Sequence, residues 1–333
     1  SRLTFECLAR RTAKTAFCNS GFEAVEAALK TAHLATDRTK IIAFERSYHG
    51  LGYGSLNATW RSEFRSPFRR QLREFGSFVP FPEAKSNLAK LEKQLNSECR
   101  RQKIGAILVE PIQGRGGTNI PPAGFLKLLR KICNKHGALL ICDEVYTGFG
   151  RTGRWFASEH FGVVPDVICL GKALTGGFPL SACVGRADVM DRAWPESEGE
   201  AIHTSTFLGH PVGCAMALAS QPELEAKKLV TRCAEMGEYF LTELRRLAKR
   251  LGQARCRPRG LGLMLALELF DEGKPAEAIA LAVTKRLLAE GFILLPEGEP
   301  ANILSITPPL TVGKTHIARF TRALGQALED AYV

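Results

Sequence analysis

The sequence predicts an α/β fold, a mostly parallel sheet with helices on both faces, joined to a smaller C-terminal α+β domain. Three apolar runs carry that expectation: Ala106–Val109, Ala138–Cys142 and Val167–Leu170, each separated from the next by a helix-patterned stretch. Strands buried on both faces read as continuous apolar runs, and parallel neighbours need a crossover helix between them.

In chain order, Asn19-Ser20-Gly21-Phe22-Glu23 opens a helix carrying Ala24, Val25, Ala27, Ala28 and Leu29. Lys40–Phe44 is strand-like. Phe125–His136 places Phe125, Leu128, Leu129 and Ile132 on one helical face and stops before Gly137, as a C-cap does. After His210-Pro211 a long helical stretch runs through Leu251, with a break expected near Gln221-Pro222. A strand-like run (Leu263–Phe270), a helix (Pro275–Glu290), a last strand near Ile303–Thr307 and a closing helix follow. The expected division is therefore a large domain over 1–220 and a small one over 221–333. At 333 residues and 45% hydrophobic composition, the chain can bury two cores.

Bulk properties exclude several classes. No apolar stretch is long enough to span a bilayer, so a soluble protein is expected. No secretory signal opens the sequence. The ten cysteines form no CxxC pair, and Cys142, Cys169 and Cys183 sit inside apolar runs. They read as small buried hydrophobes of a reducing, cytoplasmic compartment, not as a disulfide frame or metal site. The net charge of +11 peaks in Arg61, Arg65, Arg69, Arg70 and Arg73, interleaved with Phe64 and Phe68. No nucleic-acid motif accompanies this run, and a solvated basic face is the simpler reading.

The apolar runs end at polar residues: Glu110, Asp143, and Gly171-Lys172. In such sheets ligands bind beyond the carboxyl ends of the strands. An amine and a carboxylate there match the needs of pyridoxal phosphate. Lys172 would form an imine with the cofactor aldehyde, and Asp143 would keep the pyridine nitrogen protonated. Ser20 with Glu23 fits a capping box, yet a helix start preceded by glycine-bearing loop is also a phosphate site. Tyr48, in Tyr48-His49-Gly50, is either a stacking ring or an ordinary core tyrosine. Val145 is placed to pack on a ring's other face. His203–Phe207 offers hydroxyls, although such clusters are commonly turns.

Together these strings resemble the class III (ω-type) aminotransferases of the fold type I pyridoxal-phosphate enzymes. The resemblance rests on Asn19–Ala24, Tyr48-His49-Gly50, Val109–Gly114, Asp143–Gly153, Gly171–Gly177, Ser205-Thr206-Phe207 and Pro308-Pro309-Leu310. It implies that Lys172 is the imine lysine and proton shuttle, and that Asp143 pairs with the pyridine nitrogen. It further implies that Tyr48 and Val145 sandwich the ring, that Ser20, Gly21 and Phe22 hold the phosphate, and that His49 belongs to the cofactor site. Thr206 would reach the phosphate of a neighbouring subunit, which makes the protein a homodimer with shared active sites. The first residues, Leu3–Ala16, match the family's helix before the Ser-Gly string, so its N-terminal segment is missing from this sequence.

The sequence departs from the family at several positions. Phe22 stands where a small or hydroxyl residue is common, which leaves phosphate contacts to backbone N–H groups, and Tyr146 stands where many members have glutamine. Leu51 and Ser305 occupy positions where members acting on amino acids usually carry arginine, and Arg115 occupies the position of that arginine's glutamate partner. Neither leucine nor serine can bind a carboxylate bidentately. The expected reaction is therefore transfer of an amino group from a primary amine or ω-amino compound to a keto acid, aldehyde or ketone. Arg115, Tyr146, Arg151 and Arg154 are the candidate substrate contacts. The alternatives are an aminomutase, epimerase or decarboxylase on the same fold, or a non-catalytic homologue.

Overall fold

Residues 12–196, 199–252 and 254–332 are described in this computed structural model, and they divide into two units. The first is built on β1 (Ala13–Cys18), α1 (Gly21–Thr36), β2 (Lys40–Phe44), β3 (Gly76–Val79), α2 (Leu88–Arg101), β4 (Ile104–Val109), α3 (Phe125–His136), β5 (Leu139–Asp143), β6 (Val167–Leu170), β7 (Ser181–Arg186) and α4 (Ala187–Ala193). The strands form one sheet in the order β1-β7-β6-β5-β4-β2-β3. The pairs β6–β5, β5–β4, β4–β2 and β2–β3 are parallel, whereas β7 runs antiparallel to both its neighbours.

Strand alternation explains the all-apolar runs. Ile42, Phe44, Ile107, Val109, Leu140 and Cys142 point to one face and pack with Leu91, Leu95, Phe125, Leu129 and Ile132 of α2 and α3. Ile41, Ala43, Ala106, Leu108, Ile141 and Cys169 point to the other, against Ala24, Ala28 and Val189 of α1 and α4. With both faces covered, no strand position tolerates a polar side chain until the strand ends. Phe44, Phe81 and Phe125 meet edge to face, with ring centroids 5.2–5.9 Å apart. Gly137 closes α3 at φ 64°, the left-handed cap expected of it.

Two expectations are corrected. Residues 13–16 are not helical but lie in β1, where Ala16 pairs with Cys183 and Ala13 with Arg186; residues 3–11 of that expected helix lie outside the described residues. The pairing follows from Ala13–Cys18 finding a partner edge in β7, which no local periodicity announces. The long helical stretch does not break at Pro222. Helix α5 (Pro211–Ala226) continues through it, and the interruption comes at Lys228, left-handed at φ 50°, before α6 (Leu229–Leu251).

The second unit comprises residues 113–120, 150–155 and 224–333. Where the sequence suggested one cut between 220 and 221, the chain passes between the units five times. Strands β8 (Cys256–Leu261), β9 (Met264–Asp271), β10 (Lys274–Pro275), β11 (Leu295–Glu297) and β12 (Ile303–Ile306) form an antiparallel sheet, ordered β10-β9-β12-β11 with β8 also on β9. Helices α6, α7 (Glu277–Ala289) and α8 (Lys314–Ala331) cover it through Phe240, Leu244, Val283, Leu287, Phe320 and Leu324. The hairpin 113–120 is tied down by Arg259, which donates to the carbonyls of Gly117 (2.6 Å) and Thr118 (3.1 Å) and pairs with Glu268 (2.6 Å).

Candidate active site

The carboxyl ends of the parallel strands converge as the sequence suggested. Strand β5 ends in buried Asp143, whose Oδ1 accepts the Val145 N–H at 3.1 Å. Its Oδ2 stands 2.8 Å from His49 Nδ1. A carboxylate only accepts, so Nδ1 carries the proton of that contact. The imidazole has no solvent exposure, and its Nε2 is buried with no hydrogen-bond partner. The His49 N–H donates to Thr59 Oγ1 at 2.9 Å, and that hydroxyl donates to the Gly50 carbonyl at 2.9 Å, so the backbone around His49 is held twice.

Strand β6 places Cys169 opposite Asp143, so Lys172, three residues on, leaves from the same edge of the sheet. Lys172 adopts φ 28°, a left-handed conformation that a side chain with Cβ rarely takes and that the surrounding turn must enforce. That turn is closed by Leu174 N–H on the Gly171 carbonyl at 2.7 Å, and by the Thr175 hydroxyl on Phe178 O at 2.6 Å. Lys172 Nζ lies 4.6 Å from the ring centroid of Tyr146.

Val145 links these parts to the start of α1. A Cβ on Gly21 would stand 2.8 Å from Val145 Cγ1, and one on Gly171 would stand 3.2 Å from it. Glycine at 21 is what admits the valine, and at 171 a Cβ would crowd it more mildly. Beside it, Glu144 is buried, and its carboxylate accepts the N–H groups of Ala157 (2.9 Å) and Ser158 (2.8 Å) and the Thr147 hydroxyl. Burial pushes that carboxyl above its ordinary value, against the downward pull of those bonds.

The expected capping box does not form. Glu23 reaches back to the Asn19 N–H at 2.7 Å, but the Ser20 side chain makes no cap. Ser20 Oγ is buried without a hydrogen-bond partner, while its carbonyl takes the Ser181 hydroxyl at 2.5 Å. Phe22 packs on the loop after β2, where a Cβ at Gly50 (φ 115°) would come within 2.3 Å of its Cβ. Tyr48 is half-buried, its N–H donates to Glu110 Oε2 at 3.1 Å, and its ring meets Phe64 at 5.7 Å. Thr206 is exposed at the start of the turn 206–209.

Of the other predicted residues, Arg115, Arg151 and Arg154 belong to the second unit. Arg115 Nε is 3.6 Å from Glu297 Oε2, with the glutamate the buried partner. Arg151 Nη1 donates to the carbonyls of Pro308 (2.6 Å) and Leu263 (3.2 Å), and Arg154 is exposed. Ser305 is buried opposite Leu295. Sequence reasoning placed Glu110 at a strand end but did not find its bond to the Tyr48 N–H, nor Glu297, Thr59 or the bond from His49 to Asp143. Paired glycines at 21 and 171 were the only local sign of the valine's tight seat.

Comparison with known proteins shows the family and the fold. The family model described as Aminotransferase class-III matches residues 3–328. The chain is 39% identical to an acetylornithine aminotransferase of Methanosarcina mazei over 312 residues, covering 93% of this chain and 72% of that protein. It is also 39% identical to a putrescine aminotransferase of Pectobacterium atrosepticum over 319 residues, 94% of this chain and 65% of that one. Among solved structures, a Bacillus anthracis aminotransferase superposes with a TM-score of 0.91 at 28% identity, covering 99% of this chain and 78% of the other. An amine transaminase from an uncultivated Pseudomonas species, solved with PLP bound, gives 0.88 at 31% identity, covering 99% and 79%.

Proposed function

Because this chain belongs to the class III aminotransferases of fold type I and is a transaminase, we propose that it moves amino groups from primary amines lacking an α-carboxylate to a 2-oxo acid, using pyridoxal phosphate at Lys172 and Asp143. The observation that carries this reading is the pairing of strand ends: Asp143 and Lys172 leave adjacent parallel strands on one edge, beside a buried, unengaged Ser20 hydroxyl.

The residues fit the cofactor. A helix start presents N–H groups that have no partner within the helix, and a buried hydroxyl without a bond seeks an acceptor; phosphate satisfies both. Asp143, held from behind by His49, suits a protonated ring nitrogen. Tyr48 and Val145 are the flanking surfaces for a flat heterocycle.

When bound, the cofactor supplies an aldehyde for amine exchange and a ring that accepts electrons as a C–H bond breaks. Lys172 Nζ would hold and move the proton at that step, as base and then as acid. Asp143 would keep the ring nitrogen protonated, with His49 Nδ1–H holding that carboxylate in orientation. Ser20, Gly21 and Phe22 would anchor the phosphate through a hydroxyl and backbone N–H groups.

Leu51 and Ser305 support an amine donor without an α-carboxylate, since neither forms a bidentate ion pair. Arg115, Arg151 and Arg154 are the candidates for the acceptor's carboxylate, and Tyr146 for a further substrate contact. We also assign a homodimer in which Thr206 serves the neighbouring site. Exposed Phe207, Val212 and Leu218 support it, for α5 buries Gly213 and Ala217 while these apolar side chains face outward. A cytoplasmic location accords with cysteines that pack as small apolar groups.

The test is a steady-state screen of monoamines, diamines, ornithine and acetylornithine against pyruvate and 2-oxoglutarate, with Lys172→Ala as control. Simple amines should turn over with the wild type and not with the variant. Ornithine or acetylornithine as a far better donor would reject the donor assignment, and an active Lys172→Ala would reject the site.

A further inference from the structure

The Lys172 amine sits over an aromatic face that is rigidly mounted. At 4.6 Å from the centroid, Nζ is within the range where the negative face of a ring attracts a cation. Tyr146 has little freedom to leave. Its loop is fixed at one end by the Glu144 carboxylate, which gathers Ala157, Ser158 and Thr147, and by Gly148 N–H on the Glu144 carbonyl at 2.9 Å. At the other end Phe149 meets Phe156 edge-on at 5.8 Å. Lys172 in turn is held by its left-handed backbone and the closed turn after it.

Building on the role given to Lys172 above, we infer that Tyr146 is a positioning residue whose ring face seats the ammonium form of that lysine. The distinction matters because the two tasks of Lys172 need opposite protonation states. It attacks an aldehyde only as the neutral amine, yet it carries a proton only by passing through the cation. A π face attracts the cation and not the amine, so the tyrosine favours the proton-carrying state and gives the released lysine a fixed resting place.

Among the described residues, the charged and titratable groups on the neighbouring elements include Asp143 with His49 behind it, Glu144 and Tyr48. The Glu144 carboxylate is turned to loop donors, and the thiols of Cys142 and Cys169 are pushed well above their ordinary value by burial and stay neutral. Replacing the ring by an aliphatic or amide side chain leaves every one of these groups in place, which isolates the contribution of the π face.

The experiment is competitive labelling of the full chain, freed of cofactor, with acetic anhydride at a series of pH values, reading acetyl-Lys172 by mass spectrometry. Tyr146→Leu and Tyr146→Gln remove the face and Tyr146→Phe keeps it; circular dichroism checks that each is folded. Losing an attraction specific to the cation lowers the titration midpoint, so both ring-less variants should shift down by about half a pH unit, labelling about threefold faster below the midpoint. Tyr146→Phe should titrate as the wild type. An unchanged midpoint in the ring-less variants, or an equal shift in Tyr146→Phe, overturns the inference. Separately, borohydride with pyridoxal phosphate should fix its adduct on Lys172 in all four proteins. An adduct on another lysine removes the underlying role of Lys172 itself, whereas a flat midpoint with the adduct in place removes only the tyrosine's part.

Discussion

Substituting Gly21 by alanine tests whether the valine seat organises the cofactor site. The added Cβ would lie 2.8 Å from Val145 Cγ1, roughly 1 Å inside the usual carbon–carbon contact. Valine cannot swing aside cheaply, because its χ1 is stiff and Gly171 borders it on the other side at 3.2 Å for a built Cβ. Overpacking of this kind costs about 1–3 kcal/mol. If that cost falls on cofactor binding, affinity drops roughly five- to 150-fold. Backbone preference acts in the opposite direction, since alanine favours a helix over glycine by up to about 1 kcal/mol; a loss cannot therefore be blamed on a weaker α1. The assay is an absorbance titration with pyridoxal phosphate of wild type, Gly21→Ala, Val145→Ala and the double variant. The double variant should recover most of the lost affinity, giving a coupling of about 1–3 kcal/mol. Wild-type affinity in Gly21→Ala, or a double variant no better than the single, refutes the reasoning.

Two further outcomes follow from groups outside the cofactor contacts. Glu144→Gln leaves one oxygen where two accepted three donors, so at least one buried donor loses its partner, at about 1–3 kcal/mol; thermal unfolding should fall by several degrees, and an unchanged midpoint would show that the loop relaxes. The His203 imidazole is lowered from its ordinary 6.5 by partial burial and then by Lys30, whose Nζ is 3.0 Å from Nδ1. The folded state thus binds fewer protons than the unfolded one below that value, and stability present above 6.5 is lost as pH falls. His203→Gln should lose less thermal stability than the wild type between about pH 8 and about pH 5.5; parallel losses would dismiss this contribution.

Much of the sheet could be read from sequence because burial on both faces leaves an unmistakable pattern. Ile104–Val109, Leu139–Asp143 and Val167–Leu170 are apolar until the strand ends, so the fold and the edge that carries the candidate site were legible in the same letters. Strand β1 was not, since Ala13–Cys18 mixes exposed and buried positions and owes its conformation to β7, more than 160 residues away. The same holds inside the site. Lys172 and Asp143 were legible as candidates because each follows an apolar run, but the imidazole behind Asp143 comes from a residue 94 positions away. Glu297 opposite Arg115 is likewise a product of tertiary folding, and no spacing rule links them. The left-handed backbone of Lys172 had no sign at all, because lysine is not a residue that advertises it.

The repeated passage of the chain between its two units has a genetic consequence. Splitting the coding sequence after residue 223 would not release two autonomous polypeptides. The downstream product would keep Arg259 but lose the Gly117 and Thr118 carbonyls it grips, and would keep the Pro308 carbonyl but lose Arg151. Shuffling the second unit between relatives therefore demands transplanting three separate stretches at once. Recombination at one crossover point leaves a mismatched chimera.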